Sequence, residues 1–386
     1  MDKYQTIVIG LGAMGSATVY QLARRGVKTL GIDRYSPPHQ RGSTHGDTRI
    51  FRQAIGEGDG YTPIAQRSFE IWRELEELSN VELLTVTGGL VLGESISGGS
   101  LHGKSDFLKR TIDSANRYAI AHEILDAREI KRRFPQFNVP TDSCAYYEHL
   151  AGYLAPERCV KVQLSLAKES GADIRINEKV VSFVPEDDGV RVETENGVYF
   201  AEMLIASAGP WLSELIGHNL ANKLNVYRQV QYWFEVDNPA QFEVGRCPVF
   251  IWDFGTGAGM YGFPTVAKYS NGIKVATEQY AASTTPEDVN RIVTDDEKAG
   301  MYNTTIKGRL LNVKNRCLHA ETCLYTVTPD SDFIVDRLPN FPQIIVASPC
   351  SGHGFKHSAA IGEILAELAI YGKSKLDISG FGLGRF

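Results

Sequence analysis

Thr6-Ile7-Val8-Ile9 has no charged position, the pattern of a strand buried on both faces. Gly10-Leu11-Gly12-Ala13-Met14-Gly15 follows, then a helical stretch to Arg25 that Gly26 is placed to end. Val27 to Ile32 predicts a second strand ending at Asp33, which completes a βαβ unit. A different pattern marks 174–206. Ile174 and Ile176 alternate with polar residues, as do Val190 and Val192, and Asn196-Gly197 predicts a hairpin turn before Val198 and Phe200. Leu204-Ile205-Ala206-Ser207 is again a buried strand, so a meander laid over a parallel sheet is expected. Near the C-terminus Ile344 to Ala347 predicts another buried strand. The loop Ser351-Gly352-His353-Gly354 leads from it to a helix with Ile361, Ile364, Leu365 and Leu368 on one face and Gly372 at its end.

These elements predict an α/β fold with α+β character. A Rossmann-like domain is expected from residues 1–85, 145–215 and 320–386. The intervening 86–144 and 216–319 are richer in strand-like and aromatic residues and are expected to form an interleaved antiparallel-sheet domain.

Gly10, Gly12 and Gly15 form G-x-G-x-x-G between a strand and a helix. Gly10 would allow the tight turn, Gly12 the approach of a pyrophosphate, and Gly15 close helix–strand packing, with Ala13 and Met14 at the positive helix end. Asp33 can accept from ribose hydroxyls and disfavours a 2′-phosphate, while the neighbouring Arg34 blunts that argument. The motif alone leaves FAD and NAD both open.

Composition narrows the function classes. The chain has 386 residues, with 40 Lys plus Arg against 46 Asp plus Glu. The net charge of -6 argues against nucleic acid as the main partner. The six cysteines, at 144, 159, 247, 317, 323 and 350, form no CxxC pair and no zinc-like spacing, so no metal is expected. Their spread suits a reducing compartment. No apolar run of roughly 20 residues suggests a membrane span. Neither a signal peptide nor a terminal Ser-Lys-Leu is seen, and a soluble cytoplasmic protein is expected.

The run from Pro37 to Gly58, through His45, Arg49 and Arg52, closely resembles the monomeric sarcosine oxidase and N-methyltryptophan oxidase family. The resemblance continues through Tyr61-Thr62-Pro63, Ala208-Gly209-Pro210-Trp211 and Tyr261-Gly262-Phe263-Pro264. It extends to Cys323-Leu324-Tyr325-Thr326, Asp332 to Asp336, Ser351 to Lys356 and Asp377-Ile378-Ser379. It therefore spans nearly the whole chain in order. The resemblance implies FAD in a glutathione-reductase-type nucleotide domain, a small amino-acid substrate, oxygen as co-substrate and a monomer. The implied reaction oxidises a secondary amine beside a carboxylate to an imine, with hydrogen peroxide formed from oxygen.

Site residues follow from the same resemblance. Arg52 and Lys356 would bind the substrate carboxylate. Arg49 and His45 would lie close to the flavin, and Tyr261 would line the substrate pocket, with Trp252 and Phe254 as further walls. Ser43, Thr44, Gly209, Trp211, Gly352, Gly354 and Phe355 lie in segments that would contact the cofactor. Cys323 would carry the flavin through its 8α-methyl group. Lys274 would activate oxygen, with Lys268 as a rival because two extra residues follow Pro264. Four residues beyond Lys274, Glu278 stands where the family has histidine. Glu278 is expected either to favour a cationic or hydroxylated substrate side chain or to turn away and pair with Lys274. Open alternatives are a dehydrogenase with a different electron acceptor and an oxidase of cyclic imino acids such as pipecolate.

Overall fold

The computed structural model describes residues 2–217, 220 and 222–386. Its first sheet is built on three parallel strands, β1 (Asp2–Ile9), β2 (Thr29–Ile32) and β14 (Val198–Ala206), with Ile9 paired to Ile32 on one side and Ala206 on the other. β11 (Asp173–Arg175) extends it in parallel beside β2, and β22 (Phe341–Ser348) beside β14. β21 (Ile334–Leu338) closes that edge antiparallel to β22.

Ile7, Val8 and Ile9 of β1 are apolar in succession because both faces of this part of the sheet are covered. Val8 joins Leu11, Val19, Val160 and Ile361 in the core made with three helices. These are α1 (Ala13–Ala23), the helix Pro156–Glu169 and the C-terminal helix Ser358–Tyr371. Ile7 and Ile9 face the other way, into a core with Val180, Val190 and Val192 of the meander β12 (Val180–Glu186), β13 (Gly189–Thr194) and β14. The turn at Asn196-Gly197 forms as expected, with Thr194 N–H donating to the Gly197 carbonyl. Two expectations change. Ile174 lies in β11, which pairs parallel to β2 and belongs to the main sheet rather than the meander. Helix α1 ends at Ala23, not Arg25, and Gly26 (φ +77°) closes a following turn by donating to the Ala23 carbonyl.

The second sheet has nine strands. From one edge they run β19 (Ser283–Thr284), β15 (Asn225–Val236), β18 (Gly272–Ala276), β17 (Gly259–Phe263) and β16 (Val249–Asp253). The row continues through β5 (Gly89–Gly93), β9 (Cys144–Glu148) and β8 (His122–Asp126), and β20 (Val313–Val327) pairs along β15. Boundaries at 145 and 320 therefore cut through β9 and β20, which both pair in this sheet. Strand pairing moves the change of layer past Glu148 and Val327, because it depends on partners remote in sequence. Alternation along β16 sends Phe250 and Trp252 into the core, with Phe137 and Val275, and Ile251 to the opposite face.

Two small elements join the layers. β3 (Arg49–Phe51) pairs with β10 (Gly152–Leu154), which also pairs with β4 (Leu84–Val86). The hairpin of β6 (Ser100–Leu101) and β7 (Lys104–Ser105) presents His102 at its tip. Among the described residues, no helix is long and apolar enough to cross a membrane.

Candidate active site at the meeting of two cavities

The first cavity is a cleft outside the C-terminal ends of β1, β2 and β14, where open α/β sheets take nucleotides. Gly10 has φ +85°, and a Cβ there would stand 2.6 Å from the Ser207 carbonyl oxygen. A Cβ on Gly15 would stand 1.7 Å from the Gly10 oxygen, so the helix packs directly on the turn. Gly12 is different. A Cβ there would meet only Thr44 Oγ1, at 3.5 Å, and would project into the cleft that Ala13 and Met14 also line. The first turn of α1 has neither an acidic residue nor a side-chain cap, which leaves its N–H groups for an anion.

Asp33 also lines the cleft. Its two oxygens each accept one backbone N–H, from Leu11 and from Tyr35, both at 2.7 Å. Each oxygen keeps capacity for a ribose hydroxyl. Arg34 and Trp211 line the same cleft: Arg34 Nη1 lies 2.9 Å from Glu287 Oε1 and its guanidinium 5.6 Å from the Trp211 ring centre. The Asp33 carboxylate suits a ribose without a 2′-phosphate, and Arg34 already has Glu287 as its counter-charge. Ser43, Thr44 and Gly209 form further wall, with Gly354 and Phe355 toward the inner end. The cradle over Gly12, the uncapped helix and the carboxylate at the strand end together fit a dinucleotide.

The second cavity, of about 670 Å³, lies between the nine-stranded sheet and the β6–β7 hairpin. It shares Arg49, Tyr325, Gly352 and Phe355 with the cleft. Arg49 is aimed by two main-chain acceptors at 2.8 Å, Thr48 for Nη1 and Ser43 for Nη2. Gly352 has φ +83°, and a Cβ there would stand 2.9 Å from the Tyr325 ring. The junction thus requires a bare backbone.

Arg52 and Lys356 converge in the second cavity, but on a third residue. Arg52 Nη2 lies 2.5 Å from Glu57 Oε2, and Lys356 Nζ lies 3.7 Å from Glu57 Oε1. All three are buried. Burial alone would raise the Glu57 carboxyl, but Arg52 and then Lys356 hold it well below the ordinary range. Glu57 thus gives both cations a buried carboxylate partner of the chain's own. Its place five residues after Arg52 was visible in sequence, but that spacing carries no distinctive signal.

Burial pushes Lys356 down to about 8, with Glu57 opposing the shift and Arg52 adding to it. Lys356 therefore carries its charge below that pH and loses it above. Affinity for a carboxylate ligand such as acetate is expected to be level on the acidic side and to fall as pH rises through 8. Calorimetric titration with acetate across this range checks it; an affinity that stays level well above pH 8 would exclude a charged Lys356 as the anchor.

Glu278 lines the same cavity and does not pair with Lys274. His102 Nδ1 lies 2.6 Å from Glu278 Oε1. His102 has φ +51° and Gly103 φ +69°, the two central residues of a tight hairpin turn. Burial would lower the His102 pKa, but Glu278 and then Glu57 raise it. Glu278 is thus engaged by His102, the partner that a cationic substrate side chain was expected to supply. His102 was absent from the sequence candidates because a lone histidine in a Gly/Ser-rich turn has no pattern to single it out. Tyr261 is in the cavity wall, its hydroxyl 3.2 Å from that of Tyr325. Phe254 is also a wall residue, whereas Trp252 is core.

Lys274 lines neither cavity. It is buried behind 46–48, with Nζ donating to the Gly46 and Thr48 carbonyls at 2.6 and 3.0 Å. Burial and the nearby Arg49 push its pKa well below the ordinary lysine value. His45 shares this layer, with Nδ1 3.4 Å from Glu321 Oε1. Burial works against the Glu321 charge, but His45 and Lys274 hold its pKa at about 2. Lys268 is an exposed residue paired with Asp47 at 3.3 Å, on the same 46–48 segment that Lys274 holds from its buried side. Cys323 is also outside both cavity walls. Its buried Sγ accepts from Gln231 Nε2 at 3.1 Å, while Leu324, Tyr325 and Thr326 form the cleft wall beside it.

Residues 5–368 match the family model described as FAD dependent oxidoreductase. The monomeric sarcosine oxidase of Streptomyces avermitilis is 37% identical over 383 residues, covering 98% of this chain and 96% of that protein. The N-methyl-L-tryptophan oxidase of Escherichia coli O81 is 33% identical over 393 aligned positions, covering 100% of each. Among solved structures, the open form of NikD, an unusual amino acid oxidase of nikkomycin biosynthesis, superposes with a TM-score of 0.83 at 22% identity, covering 99% of this chain and 98% of that one. The L-proline dehydrogenase from P. horikoshii superposes with a TM-score of 0.81 at 22% identity, covering 99% and 97%. These two structural likenesses speak for the fold.

Proposed function

The chain belongs to the FAD-dependent oxidoreductase family, and from that premise we propose that it is an oxidase of secondary amino acids. The amine becomes an imine that water hydrolyses, and oxygen becomes hydrogen peroxide. The reading is carried by Arg52 and Lys356, which face one buried carboxylate in a cavity opening onto the nucleotide cleft at Arg49 and Gly352.

Bound FAD supplies the electron acceptor for the substrate and the donor for oxygen. The chain's own residues do the rest. Arg52 offers a planar fork to the substrate carboxylate and Lys356 a point charge, with Glu57 holding both cations in place until that carboxylate arrives. Tyr261 and Tyr325 wall the reacting end. Arg49 places fixed positive charge at the junction, where negative charge develops. Lys274 is proposed to supply positive charge for oxygen reduction from behind 46–48, and His45 to hold that layer through Glu321.

The test is a peroxide assay on the flavin-loaded protein with sarcosine, other N-methyl amino acids, cyclic imino acids and glycated amino acids. Stoichiometric peroxide is expected with at least one class. Dye reduction without peroxide would transfer the protein to the dehydrogenases, and a silent panel with normal bound flavin would overturn the substrate class.

Cys323 is proposed to hold the flavin by a thioether to its 8α-methyl carbon. The Cys323-Leu324-Tyr325-Thr326 segment and the place of Leu324 in the cleft wall support this. Acid precipitation is expected to leave yellow colour in the protein pellet, and Cys323→Ala should move it to the supernatant. Colour wholly in the supernatant from the unaltered protein would rule the attachment out.

A further inference from the structure

The substrate cavity is much larger than N-methylglycine needs. Its volume of about 670 Å³ is in the range that takes drug-sized ligands. Its charges are also unevenly compensated. Arg49 serves the junction with the cleft. Arg52, Lys356 and Glu57 together leave one positive charge, which the substrate's own carboxylate balances. Glu278 is taken up by His102, whose Nδ1 lies 2.6 Å from its Oε1. Arg309 remains. It lines the same cavity and forms no ion pair among the described residues.

Arg309 is held in a defined pose. Its guanidinium carbon lies 4.0 Å from the centre of the Phe254 ring. Its Nη1 donates to the Thr304 and Thr305 carbonyls at 3.0 and 3.2 Å. Those carbonyls are available because they lie in the last turn of the π-helical segment Met301–Ile306, where a helix leaves its carbonyls unpaired. The Nε–Nη2 edge makes no hydrogen bond among the described residues. That edge presents two parallel N–H donors, with which arginine can grip a carboxylate through two bonds.

We propose that Arg309 binds a second carboxylate, at the end of the substrate's side chain, so that the preferred substrate is an N-substituted dicarboxylic amino acid. This rests on the oxidase reading above and adds the side-chain class to it. Phe254 serves as the platform for the guanidinium, and Glu278 is excluded from that end of selection by its pairing with His102.

The experiment compares kcat/KM for N-methylglutamate and for its uncharged match, N-methylglutamine, with sarcosine included. The acid is expected to be favoured by about tenfold or more. In Arg309→Met that ratio should fall to near one, and in Arg309→Lys to an intermediate value, because lysine keeps the charge but loses the fork. Unchanged flavin content and melting temperature show that each variant is folded. The proposal is overturned if the amide is used as well as the acid, or if the preference survives in Arg309→Met. Turnover of sarcosine and N-methylglutamine without an acidic preference defeats this proposal and leaves the oxidase reading intact. No turnover of any of the three, with flavin bound, defeats this proposal, and the oxidase reading falls with it if cyclic imino acids and glycated amino acids are silent as well.

Discussion

Arg52→Met is expected to lower kcat/KM for amino-acid substrates by roughly 10²- to 10³-fold, mostly through KM. The loss has two parts. The fork that takes two carboxylate oxygens disappears. Glu57 is also left with Lys356 as its main counter-charge, so the two close on each other and an incoming carboxylate meets no net positive charge. Glu57→Gln tests the same triad from the other side. It leaves two buried cations without their anion, a change that costs about 3–5 kcal/mol where a buried pair is broken. Thermal denaturation should show Glu57→Gln destabilised without ligand and markedly rescued by acetate, which replaces the lost carboxylate. A melting temperature that does not respond to acetate would show that Glu57 is not a stand-in for substrate.

A second large effect separates two glycines three residues apart. Gly15→Ala places a methyl group 1.7 Å from a main-chain oxygen that cannot move without displacing Gly10. A loss of more than about 4 kcal/mol is expected, a large fraction of any domain's stability. Gly12→Ala meets only Thr44 Oγ1 at 3.5 Å, so the apo-protein should fold with a loss of about 1 kcal/mol or less. Its methyl instead fills the cradle where the pyrophosphate approaches. Flavin absorbance per chain should fall sharply in Gly12→Ala while its apo-protein melts nearly as before. Full flavin content in Gly12→Ala would mean that the cofactor does not pass over that residue.

The elements that sequence made legible are those whose signal is local. β1, α1 and β2 form where the apolar runs and glycines place them, within about two residues at the helix end. A consecutive apolar run needs two covered faces wherever it lies, Gly10 takes the positive φ that its own turn requires, and Gly15 is demanded by an oxygen of that turn. Arg52 and Lys356 were named through a resemblance, and they converge. Cys323, Lys274 and His45 were named in the same way, yet the fold sets them behind the cavity walls. Their spacing in the chain says nothing of which layer a strand presents.

Sequence by itself therefore determined the nucleotide cleft, the cation pair and the family. Only the tertiary structure decided that Glu57 lies between Arg52 and Lys356, that His102 meets Glu278, and that Arg309 faces the cavity with a free edge. Each of these depends on residues brought together across long stretches of chain. A charge's partner, and thus its effect on a ligand, is a property of that encounter. The same physics moved the layer boundaries to the ends of β9 and β20: a strand belongs to the sheet in which its backbone groups find partners, and neither strand carries its partner's address in its own residues.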